Sequence, residues 1–180
     1  MCGIIGFAST RREHSLKWLR LGRDKMFHRG PDAKGEFLCD SGKVGFGHRR
    51  LSILDLSDSG NQPLIDQSGK IVITLNGEIY NYLELKSELY RDGYKFRTST
   101  DTEVVLNAYR KYGEKCIEKF IGMFSFAIYD KSKQKIFIAR DRAGEKPLYY
   151  YFNEYQLYFS SELKGLFSNK KIYRKISKRG

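Results

Sequence analysis

Cys2 offers the first candidate for chemistry. Residue 2 is small, so Met1 is expected to be removed during maturation. A thiol and an α-amine would then sit on one residue. Their ordinary pKa values, about 8.5 and about 8, make proton transfer between them nearly balanced at neutral pH. That is the chemistry of an N-terminal nucleophile carrying its own base, although a lone cysteine also serves as a small core hydrophobe. Gly3 lets other groups approach closely. Asn76-Gly77-Glu78 follows an apolar run. Asn-Gly is a strong turn signal, and such a turn could aim the Asn76 amide and the Gly77 N–H in one direction, as an acyl-transfer oxyanion requires. Arg50, in Gly47-His48-Arg49-Arg50-Leu51-Ser52, could be surface charge or could grip a carboxylate with its fork. Asp101 could favour the positive end of a helix or accept from a substrate ammonium. An Arg and an Asp on opposite sides of a pocket would fit a free amino acid.

Other familiar arrangements are missing. His28-Arg29-Gly30-Pro31-Asp32 reads as a turn after a helix, with His28 structural or lining a loop. No order of Ser, His and Asp suggests a triad, and no phosphate-cradling glycine loop is present.

The elements that must position these residues are mostly short strands: Gly3–Ala8, Lys43–His48, Ile71–Asn76, Phe124–Asp130, Lys135–Arg140, Leu148–Phe152 and Gln156–Ser160. Ile71–Leu75 and Phe124–Ile128 are apolar nearly throughout, which suits strands covered on both faces. The last four runs are joined by Lys131–Gln134, Asp141–Pro147 and Asn153–Tyr155, connections short enough for antiparallel neighbours. Three helices are expected. One covers Ser15–Met26. A second follows Asn81 as N-cap and stops at Gly93. A third follows Thr100, paired with Glu103 in a capping box, and stops at Gly113. The expected class is α+β.

Composition narrows the partners. Of the formal charge of +12, half comes from six basic residues between Lys170 and Gly180, a stretch without acids. A solvated tail or linker explains it, and the body holds no aromatic-interleaved basic motif for RNA. Nucleic acid is therefore not an expected partner. Cys2, Cys39 and Cys116 form no CxxC pair and no zinc spacing, so no metal is expected and a cytoplasmic location is the default. The apolar Gly3–Ala8 is too short to span a membrane.

Together the motifs resemble the glutaminase domain of the glutamine-hydrolysing asparagine synthetases, a branch of the class II glutamine amidotransferases. The matching stretches include Met1–Gly6, His28–Asp32, Gly47–Asp55, Gln62-Pro63-Leu64, Asn76–Tyr82, Ser99–Glu103, Gly122–Asp130, Ala139–Tyr149 and Ser160–Lys164. Each alone is weak, but the ordered set is specific. Arg50-Leu51-Ser52-Ile53 and Lys146-Pro147-Leu148-Tyr149 favour this branch over those of hexosamine or purine synthesis.

The resemblance implies a four-layer αββα sandwich of two antiparallel sheets, of the N-terminal-nucleophile hydrolase type. It implies Cys2 as nucleophile with its own amine as base, and Asn76 with Gly77 as the oxyanion pair. Arg50 would hold the glutamine α-carboxylate, Glu78 and Asp101 the α-amino group, and Leu51, Ser52, Ile53 and Leu54 would line the pocket with backbone. Arg49 receives no role. Thr100 stands where the family often has Ser, which keeps a capping hydroxyl. The implied reaction is glutamine to glutamate and ammonia, without cofactor. ATP and magnesium would serve only a synthetase domain, whose Ser-Gly-Gly-x-Asp-Ser loop this sequence lacks. Residues 1–167 would form the amidotransferase unit, and 168–180 a basic lead toward an ammonia-accepting synthetase domain or subunit. Apolar surface left by that partner could support a homodimer. The alternatives are a glutaminase serving another ammonia acceptor, or a truncated remnant without turnover.

Overall fold

A computed structural model describes residues 1–11, 16–53 and 55–175. Strand β1 (Gly3–Ser9) pairs on one side with β3 (Val44–Arg50) and on the other with β9 (Gln156–Ser160). The edges of that sheet are β2 (Ala33–Leu38) and β8 (Tyr149–Phe152). The second sheet runs β4 (Leu64–Ile65), β5 (Ile71–Ile79), β6 (Gly122–Asp130), β7 (Lys135–Arg140). Every pairing is antiparallel.

Side-chain alternation stacks the layers. Ile4, Phe46 and Phe159 of the first sheet meet Val72, Ala127 and Tyr129 of the second. The outer face of the first sheet packs Ile5, Phe7 and Tyr158 against Leu19 of α1 (Lys17–Lys25) and Leu166 of α4 (Leu163–Leu166). The outer face of the second packs Ile73, Leu75, Phe126 and Ile128 against α2 (Tyr82–Arg91) and α3 (Asp101–Tyr112). The result is the expected four-layer αββα sandwich. Ser168, Asn169 and Ile172 are also buried, with Ile172 in the α1-side core. Among the described residues no helix is long and apolar enough to cross a membrane.

Several expectations need correction. Asn76-Gly77 makes no turn: β5 continues through both to Ile79, because β6 pairs with it out to Gly122. The short link Asp141–Pro147 joins strands of different sheets, not neighbours. Asp141 folds that link tightly, accepting from the N–H groups of Phe124, Glu145 and Lys146. Asn81 precedes α2 without capping it; its side chain instead bonds Lys119 O and Ile121 N. Thr100 caps α3 as expected, but the Glu103 carboxylate turns to the N–H groups of Arg97 and Thr98, so the box is not reciprocal. Helix α1 begins at Lys17 and ends at Lys25, inside the expected range, and Ser15 lies outside the described residues.

Candidate active site

The register of β5 builds the centre of the site. In an antiparallel strand alternate residues send both backbone groups to the same side. Ile71, Leu75 and Ile79 all face the β4 side: Asp66 N donates to Ile71 O, Leu75 N donates to Gln62 Oε1 at 2.6 Å, and Ile79 N donates to Asp101 Oδ2 at 2.9 Å. Strand β4 ends opposite Ile73 and Val72, so beyond it this edge is finished by side chains. Gly77 falls between Leu75 and Ile79, and its N–H therefore emerges on the same edge. It lines a cleft together with Cys2, Arg50, Leu51, Ile53, Glu78 and Asp101. A Cβ on Gly77 would stand 2.4 Å from Met123 O and 2.6 Å from Phe124 Cα, so this close approach of strands admits only glycine.

Asn76 is buried just behind that edge, and its Nδ2 has no hydrogen-bond partner. A buried amide donor left unmade costs about 1–3 kcal/mol, which marks it as a group kept for something other than stability.

Cys2 sits where β1 begins. Leu51 N approaches its Sγ at 3.4 Å. Burial pushes the thiol above its ordinary value, against the Leu51 N–H and the positive charges of the chain terminus and Arg50, while Glu78 adds to the rise. Its backbone is clamped: Arg29 Nε donates to Cys2 O at 2.9 Å. Arg29 is held in turn by Glu162 at 3.1 Å. Burial works to raise the Glu162 pKa, but Lys164, His28 and Arg29 outweigh it and bring it down to about 2. A carboxylate depressed on folding stabilises the protein above its unfolded pKa, and that stability is lost as pH falls through the folded value. Glu162→Gln is therefore expected to be less stable than the parent at neutral pH. The gap should close between about pH 4.3 and about 2, as read by urea unfolding along a pH series. A gap independent of pH would remove Glu162 from this role.

The other end of the cleft is charged. Glu78 and Asp101 both sit above the usual carboxylate range. For Glu78 the cause is burial, then the neighbouring Asp101, with Lys146 opposing; for Asp101 it is burial, opposed by backbone donors. Two facing carboxylates of raised pKa form a site for a cation. Arg50 is buried, and its guanidinium donates to the carbonyls of Asp55 and Ser57 and to Asn61 Oδ1. These are neutral acceptors, and among the described residues no carboxylate pairs with Arg50.

The glutamine amidotransferase domain model matches residues 1–180. The chain belongs to the glutamine amidotransferase domain family. The amidotransferase domain is 46% identical over 173 residues to asparagine synthetase [glutamine-hydrolyzing] 2 of Bacillus subtilis, covering 94% of this chain and 22% of that protein. It is 42% identical over 191 residues to the putative asparagine synthetase [glutamine-hydrolyzing] 2 of Methanocaldococcus jannaschii, covering 97% of this chain and 36% of that one. It is thus homologous to the glutaminase part of such synthetases and spans 22% to 36% of these relatives' length. The solved glutamine phosphoribosylpyrophosphate amidotransferase of B. subtilis shares the fold, with a TM-score of 0.78 at 21% identity, over 93% of this chain and 43% of that one.

Of the residues singled out in the sequence, Cys2, Arg50, Leu51, Ile53, Gly77, Glu78 and Asp101 meet in the one cleft. Asn76 lies behind it. Ser52 is turned to Asp32, whose Oδ2 accepts from its N–H, and Leu54 falls outside the described residues. Arg49, given no role, pairs with Asp24 and covers the Phe27 ring. Sequence reasoning assigned nothing to Gln62, Arg29 or His48. Each stands in a matched motif, which was the available signal, but their work is to hold backbone at long sequence separation.

Proposed function

We propose that this domain hydrolyses glutamine to glutamate and ammonia with Cys2 as an N-terminal nucleophile. The observation that carries the reading is the cleft itself, which joins a thiol, the strand-edge residue Gly77, a carboxylate pair and an arginine. With Met1 removed, the Cys2 amine takes the thiol proton and Sγ attacks the side-chain carbonyl of glutamine. The developing oxyanion is held by Gly77 N–H and Asn76 Nδ2. The amine returns the proton to the leaving nitrogen, ammonia departs, and a γ-glutamyl thioester remains. Water, deprotonated by the same amine, releases glutamate and restores the thiol. Glu78 and Asp101 receive the α-ammonium and Arg50 the α-carboxylate; the backbone at Leu51 and Ile53 shapes the pocket.

The ammonia is destined for an acceptor carried by another domain or subunit, of the asparagine-synthetase kind. The resemblance to such synthetases along nearly the whole chain supports that destination. The test is glutamate and ammonia release from glutamine by protein whose mass shows a free Cys2. Turnover that matches glutamate to ammonia one to one is expected. Absence of release from the isolated domain and also from it combined with its synthetase partner would refute the reading.

A further inference from the structure

His48 is completely buried in β3, opposite Ile4 of β1, on the face that meets the second sheet. Its Nε2 lies 3.1 Å from Leu75 O. A carbonyl only accepts, so Nε2 carries the proton and donates. Burial lowers the imidazole pKa to about 4, so the ring is neutral at physiological pH and Nδ1 keeps a bare lone pair. That nitrogen has no partner. A leucine would fill such a place without an orphaned polar atom, so packing alone does not explain a histidine. What the histidine supplies is one donor, delivered across the gap between the sheets to a strand edge that no neighbouring strand completes.

We propose that His48 is a positioning residue for glutamine hydrolysis: from β3 it holds the Leu75 carbonyl and so fixes the Leu75–Asn76 peptide, which leads directly into the Asn76 side chain and the Gly77 N–H, the two oxyanion donors. The proposal rests on the reading of Asn76 and Gly77 as those donors. Gln62 completes the clamp. Its Oε1 accepts from Leu75 N, and its Nε2 donates to Thr102 Oγ1 at 3.1 Å. Both backbone groups of Leu75 are therefore held by side chains, one residue before Asn76 and two before Gly77. Neither clamp touches the substrate. They fix the two peptide planes that flank Leu75, and an oxyanion donor misplaced by about 1 Å can cost on the order of 100-fold in rate.

The test compares His48→Gln with His48→Asn. The glutamine amide nitrogen reaches about as far as Nε2, and the asparagine one only as far as Nδ1. His48→Gln is expected to keep kcat within about threefold of the parent, and His48→Asn to lose about 10- to 100-fold, with KM for glutamine within about twofold in both and similar Tm values. Equal kcat in the two variants, or losses that follow Tm, would overturn the proposal. A second reading is independent of activity: the ¹⁵N spectrum of His48 should show the neutral tautomer protonated at Nε2, and a proton on Nδ1 would contradict it. Cys2→Ala measured alongside keeps the two claims separate. If the parent does not exceed Cys2→Ala, the glutaminase reading fails and the positioning role falls with it. If the parent does exceed it and Gln equals Asn at position 48, only the positioning role fails.

Discussion

Cys2→Ala is expected to lower glutamine hydrolysis by at least about 10⁴-fold, and keeping Met1 attached should do nearly as much while leaving the thiol in place. The reason lies in the protonation of the site. Burial raises the thiol pKa, so at neutral pH Cys2 holds its proton and needs a base. Among the described residues neither histidine fills that need: His48 is turned to Leu75 O and His28 to Glu162. In the proposed mechanism the α-amine of Cys2 is that base, a role an amide nitrogen joined to Met1 could not take. Parallel assays of the Met1-free form, the Met1-retaining form and Cys2→Ala, each verified by intact mass, read this directly. Full turnover with Met1 attached would remove the α-amine from the mechanism.

Asn76→Leu should lower kcat by about 100- to 1000-fold, the effect of removing one oxyanion donor, with a Tm no lower than that of the parent. Most core substitutions lose stability; this one deletes an amide nitrogen that already lacks a partner and keeps the number and branching of the side-chain heavy atoms. Gly77→Ala should also lose about 100-fold in kcat by a different route. Its Cβ would meet Met123 O and the Phe124 backbone, so β5 must separate from β6 and carry the Gly77 N–H out of line. That variant should be measurably less stable. A fall in Tm for Asn76→Leu together with an unchanged kcat would mean that Asn76 is an ordinary core amide.

Much of this was legible in the sequence because the strands are dense in apolar residues. Lys135–Arg140 and Gln156–Ser160 match β7 and β9 residue for residue, and Thr100 and Gly113 bound α3 as capping chemistry predicts. The hidden parts have physical causes. Strand β2, Ala-Lys-Gly-Glu-Phe-Leu, alternates exposed with half-buried residues and contains a glycine, so its pattern is diluted. Strand β4 has only two residues. Asn76-Gly77 carries the local signature of a turn, yet pairing with β6 overrides it, and the glycine serves a close approach of strands. In the site, the nucleophile was visible as a cysteine at position 2, and the charged residues because they stand in motifs that resemble the family's. The clamps on backbone were not: Gln62 and Leu75 are 13 residues apart, and His48 and Leu75 are 27. Nothing local announces that a polar side chain will finish another strand's edge.

The central claim is that Cys2 carries the glutamyl group between the departure of ammonia and the arrival of water. Rapid acid quenching of Met1-free protein during turnover, followed by mass mapping of its peptides, tests this most directly. One glutamyl acyl group, on the peptide that begins at Cys2 and removed by hydroxylamine, is the predicted result. Sustained glutamate release with no adduct on that peptide, or with the adduct at another residue, would contradict it.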